Sequence, residues 1–111
     1  MYSVAFIFTP GNYDAEFHAL DQCIAEVAES MPGFVGKEVW HAAEGRQINS
    51  TYYWKDEDSL QAFSRHPKHQ EAKRQYRKWY EGYHIVIAKI ERSYGDGRIS
   101  HITPNARATD K

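Results

Sequence analysis

Residues Tyr2 to Thr9 alternate along the chain, yet both faces are apolar: Tyr2, Val4, Phe6 and Phe8 on one, Ala5 and Ile7 on the other. A strand of that kind is usually covered on both sides. Pro10-Gly11 ends it, and Asn12 or Asp14 can cap the next segment by accepting a hydrogen bond from an early helical N–H. Phe17, Leu20, Ile24, Val27 and Met31 then recur at three- and four-residue steps, with Cys23 and Ala28 beside the stripe. This spacing predicts an amphipathic helix, stopped by Pro32-Gly33. Phe34 to Ala43 and Gln47 to Trp54 predict two strands joined as a hairpin at Glu44-Gly45-Arg46. Asp56 caps a short helix holding Leu60 and Phe63, which ends at His66 because a residue before proline is pushed out of the α region. Pro67 suits the first turn of another helix, whose stripe His69, Ala72, Tyr76, Trp79 and Tyr80 runs up to Gly82. Tyr83 to Tyr94 reads as a long final strand, with Ile85 and Ile87 on one face and Val86, Ala88 and Ile90 on the other.

The predicted order is β-α-β-β-α-β, an α+β ferredoxin-like fold with a four-stranded antiparallel sheet and helices on one face. Residues 1–95 form a single domain in this reading. The polar, patternless stretch from 96 to 111 is a C-terminal arm or a disordered tail. The sheet face away from the helices is apolar on the first and last strands, which calls for a second copy packed sheet against sheet as a homodimer.

Composition narrows the setting. A chain of 111 residues is one domain with a modest core, and three Trp, eight Tyr and five Phe give it much apolar area to share. A net charge of −1, from 14 basic and 15 acidic residues, gives no electrostatic case for nucleic acid or an anionic membrane. The longest apolar run, near Val4 to Phe8, is too short to span a bilayer. Met1 leads straight into a strand pattern without a basic leader, and Cys23 is the single cysteine, so the expected setting is the reducing cytoplasm.

The aromatic strand end Tyr53-Trp54, the acidic helix start Lys55-Asp56-Glu57-Asp58, the His66-Pro67-x-His69 break, Trp79-Tyr80 and the closing Glu91-Arg92-Ser93-Tyr94-Gly95 carry a resemblance. Over residues 2–95 the chain resembles the antibiotic biosynthesis monooxygenase-like family of dimeric α+β barrel proteins. The resemblance implies a cavity between sheet and helices. It also implies a cofactor-independent monooxygenase-like activity on a small aromatic or phenolic, polyketide-like compound, with neither metal nor flavin. Trp54 matches a Trp that relatives place at the pocket, and Arg74 falls near an Arg used in one monooxygenase branch. Where that branch has Asn, this chain has Ser50, with Asn49 next to it on the opposite strand face. The haem-degrading branch would need an Asn on the first strand, a Trp where Phe63 stands and a His where Lys73 stands, and none of these is present.

Trp54 and Phe63, with Tyr53, are expected to bind substrate; His66 or His69 is the expected base and Arg74 the charge stabiliser. The structural reading, with His66 as a helix cap and His69 as a packed, hydrogen-bonded residue, outweighs the functional one, and as metal ligands the pair would need a third partner. His41 and His84 read as core or interface residues on strands. Trp40, Tyr52, Tyr76, Trp79 and Tyr80 read as core and interface packing, or in part as lining. The basic run Lys68, Lys73, Arg74, Arg77 and Lys78 reads as a solvated helix face paired with Glu71 and Glu81. The alternative function is a non-catalytic small-molecule-binding or stress-response module on the same scaffold. A third, an isomerase or decarboxylase-like enzyme, would turn over substrate without oxygen.

Overall fold

Strand β1 (Tyr2–Pro10) occupies an interior position of the sheet, between β3 (Ile48–Trp54) and β4 (Tyr80–Lys89), with β2 (Phe34–His41) beyond β3, so the order is β2-β3-β1-β4. All neighbours are antiparallel. These features come from a computed structural model that describes residues 1–106; the last part of the expected tail, residues 107–111, lies outside the described residues. The α+β ferredoxin-like expectation holds.

Helix α1 (Ala15–Ser30) arises from its cap and stripe. Asp14 accepts from the Phe17 N–H at 2.8 Å, and Phe17, Leu20 and Ala28 are buried on the inner side. Gly33 then turns the chain at φ 91°, where a Cβ would strike the Ser59 side chain. Asp56 caps α2 (Glu57–Ser64) by accepting from the Ser59 N–H at 2.8 Å, and His66 Nδ1 caps α3 (Pro67–Arg74) by accepting from the Lys68 N–H at 3.1 Å.

The stripe read as one helix through Tyr80 divides instead. Gln75 leaves helical geometry, Tyr76–Trp79 form a single turn (α4), and Tyr80 is already extended, opening β4. The cause is non-local. Tyr80 pairs with Pro10, and the Gly11 N–H donates to the Trp79 carbonyl at 2.7 Å. A Cβ on Gly11 would come within 2.8 Å of that oxygen. Gly82 therefore lies inside the strand opposite Thr9, and β4 ends at Lys89, where its partner begins at Tyr2.

Register sorts the side chains. Trp54, Tyr2 and Lys89 form one cross-strand row; Tyr52, Val4 and Ile87 the next; then Ser50, Phe6 and Ile85; then Ile48, Phe8 and Tyr83. These rows face the helices, because Tyr2, Val4 and Tyr52 pack with Ala28, Trp54, Leu60 and Phe63 in one core cluster. A second cluster joins Phe17, Leu20 and Trp79, and Ile24 touches both.

On the outer face stand Ala5, Ile7, Val86, Ala88, Tyr53 and Trp40, the last 65% exposed. The chain beyond Ile90 returns over part of this face. His101 Nε2 lies 2.9 Å from Glu38 Oε2, and Tyr53 donates to Glu38 Oε1 at 2.5 Å. Ile102 covers Gly36, where a Cβ would lie 3.1 Å away. Ser93 donates to the Pro104 carbonyl, and the Ala106 N–H donates back to the Ser93 carbonyl. No described helix is long and apolar enough to cross a membrane.

Candidate functional site

The seam between the two core clusters holds a cavity of about 30 Å³, lined by Phe17, Leu20, Asp21, Ile24, Ala72, Trp79 and Tyr80. Helix α1 supplies one wall, α3 and α4 another, and the start of β4 a third. The cavity has room for a water-sized group and not for an aromatic ring, which needs a pocket about ten times larger. The Tyr80 ring leads outward from it, meeting Phe6 at 5.3 Å and Phe8 at 5.1 Å between centroids. Phe6 meets Tyr83 at 5.9 Å, and Tyr83 meets Tyr76 edge-on at 4.9 Å. Beyond them Ile85 and Ile87 stand on the helix-facing side of β4 with no described helix over them, Ile87 being 59% exposed. A small, half-open cavity thus adjoins an aromatic and aliphatic shelf that no described helix covers.

The polar groups here are phenols and one carboxylate. Burial pushes Tyr52 up to about 12, and the Asp21 charge acts in the same direction. Tyr80 is raised by burial, with Tyr13, Asp21 and Tyr52 contributing, and Tyr13 is raised by burial and Asp21. The phenols are therefore neutral donors around a shared negative charge. Among the described residues the Asp21 side chain makes no hydrogen bond or ion pair.

His69 lies on α3 one turn before Ala72. Its ring meets Phe63 at 4.9 Å, 62° between planes, and its buried Nδ1 has no hydrogen-bond partner. Burial lowers its pKa to about 4, helped by Lys73 and His66 and opposed by the Ser64 backbone, so the imidazole is neutral at physiological pH.

The expected site residues are only partly brought together. Trp54 and Phe63 pack at 5.0 Å within the first cluster, and Tyr52 stacks on Phe63 at 5.6 Å. His69 joins them through Phe63. Tyr53 points to the other side of the sheet, where burial and its bond to Glu38 push it up to about 12. His66 is engaged as a helix cap. Arg74 is exposed at the end of α3. Lys73 donates to Ser64 Oγ at 3.0 Å. Among the described residues no group of three His, Cys, Asp or Glu could hold a metal ion.

Asp21 and Tyr13 were not singled out in the sequence, and Tyr80 was named only among the aromatics read as packing or in part as lining. Asp21 had a usable signal: it lies four residues after Phe17 and three before Ile24, which puts a carboxylate on the apolar face of its helix.

Residues 1–75 match the family model described as antibiotic biosynthesis monooxygenase. A protein of Bacillus subtilis (strain 168), the uncharacterized protein YqjZ, is 33% identical over 92 residues, spanning 82% of this chain and 80% of that one. Among solved structures, SnoaB from Streptomyces nogalater, described as a cofactor-independent oxygenase, has a TM-score of 0.66 at 16% identity, covering 83% of this chain and 94% of its own. Rv0793 from Mycobacterium tuberculosis has a TM-score of 0.70 at 11% identity, covering 85% and 98%. At these identities the structural likeness shows the fold alone.

Proposed function

As the chain belongs to the antibiotic biosynthesis monooxygenase family, we propose that it is a monooxygenase-like enzyme that oxidises a small phenolic compound without metal or flavin. The observation that carries this reading is the half-buried, neutral His69, whose buried Nδ1 is unfilled beside Phe63. One dioxygen would oxidise a phenol to a quinone, one oxygen entering the ring and the other leaving as water, with the substrate supplying the electrons. The protein must hold the ring, exclude water and receive a proton.

In this proposal the ring lies on the open shelf of the helix-facing side, at the mouth of the small cavity between α1 and α3, with Trp54 and Phe63 forming the closed end behind it. His69 accepts the phenol hydrogen bond and takes the proton as charge develops, a negative substrate beside it raising its basicity. Arg74, without an ion pair among the described residues, is the group available to neutralise charge. Docking a second copy against Ala5, Ile7, Val86 and Trp40 completes the assembly, and native mass spectrometry of the purified protein reads it directly.

Dissolved-oxygen uptake with a panel of phenols and naphthols tests the chemistry. Uptake is expected, with a loss of about 100-fold in kcat for His69→Phe. A compound that binds and is returned unchanged in air would identify a binding module instead.

A further inference from the structure

Asp21 is an unusual wall for a site meant to stabilise a phenolate. A carboxylate opposes the loss of a proton by any acid near it, and it already does so for three phenols of the protein. The rest of the cavity wall is aromatic and aliphatic: Phe17, Trp79 and Tyr80 with Leu20, Ile24 and Ala72. Faces of aromatic rings attract cations, and a carboxylate beside them attracts cations further. Lys78 does not answer that charge, since its ammonium is 3.3 Å from Glu16 and lies over the Trp79 ring at 5.6 Å.

We propose that the site takes an aromatic compound bearing a positively charged amine, its ammonium head in the cavity against Asp21 and its ring on the shelf formed by Phe6, Tyr83, Ile85 and Ile87. Size, charge and adjacency agree on this occupant. An ammonium head is about the size of a water molecule, which is the group the cavity admits. The shelf starts at Tyr80, the residue that also walls the cavity, so head and ring are served by adjoining surfaces. An ammonium also offsets the field with which Asp21 would otherwise resist phenolate formation. The inference rests on the helix-facing side of the sheet being a ligand site, and it holds whether or not oxygen is consumed.

Phenethylamine and phenylpropionate share a ring and a short chain and differ in the sign of their charge. Calorimetric titration at neutral pH and low salt is expected to show the amine binding about fivefold more tightly, since the carboxylate is partly solvated. Asp21→Asn should erase the preference with an unchanged unfolding midpoint, because the side chain is exposed and unpaired. Neither probe carries a phenol, so the result is independent of the oxygen-uptake assay. Equal affinities in the unaltered protein, a preference that survives Asp21→Asn, or no binding of either probe at its highest soluble concentration would each overturn the proposal.

Discussion

The helix-facing side of the sheet is finished differently at its two edges. Over β3, α2 lays Leu60 and Phe63 onto Trp54, which is 1% exposed. Over β4, the corresponding covering stops at the single turn of α4, and Ile87, two residues along from Ile85 on the same face, stays open to solvent. The same kind of side chain is structural where a helix covers it and available where none does. Sequence apolarity alone does not tell a core from a binding surface.

Changes at the covered edge should be the most damaging. Trp54→Ala is expected to cost about 3–5 kcal/mol in urea unfolding, through lost burial and the cavity it leaves. A cost below that of an ordinary surface substitution would mean that the covered edge is not the core.

His69 gives the next effect. Its folded pKa of about 4 lies below its unfolded value near 6.5, so the unfolded chain binds more protons between these limits. Stability should be full above about pH 6.5 and fall as pH drops towards 4, by on the order of 2 kcal/mol. His69→Leu should flatten that slope in unfolding midpoints measured across the range.

Asp14 ties α1 to α4, accepting from the Phe17 N–H at 2.8 Å and from Trp79 Nε1 at 3.2 Å. Asp14→Ala should lower the melting temperature by several degrees. The backbone bond to Phe17 leads the causes that hold its carboxyl below the usual range, so this contribution is present above the ordinary aspartate pKa and lost as pH falls through the folded value. Smallest for stability is the open edge: Ile87→Ala should stay within about 0.5 kcal/mol while weakening binding of an aromatic ligand. A large destabilisation there would erase the contrast.

The elements set by local chemistry were legible in the sequence. The caps at Asp14 and Asp56 and the break at Pro67 need only neighbouring residues to be read. The boundary at Tyr80 was not legible, because Tyr76, Trp79 and Tyr80 fit a helical period while the strand start is imposed by Pro10 and Gly11, about seventy residues away in sequence. Tyr53 and Trp54 are strand neighbours, so alternation already placed them on opposite faces and only one could line an inner pocket. Nothing near His101 announced Glu38, which lies 63 positions earlier. Burial acts to raise Glu38, yet bonds from Tyr53 and His101 outweigh it and hold the carboxyl below its ordinary range. The arm is fastened by an already formed acceptor that only the folded hairpin presents.

The register of β1 with β4 has a mechanical consequence. Tyr2 faces Lys89, so the chain enters and leaves these paired strands at the same end. Their hydrogen bonds run perpendicular to the strands. A pull on the two termini would therefore load these bonds one at a time, starting with the Ile90 N–H on the Met1 carbonyl, as in opening a zip. Before that row is reached, the pull must strip His101 from Glu38. Under tension the first resistance would come from the arm and not from the sheet, and His101→Ala should lower the force at which the protein first yields.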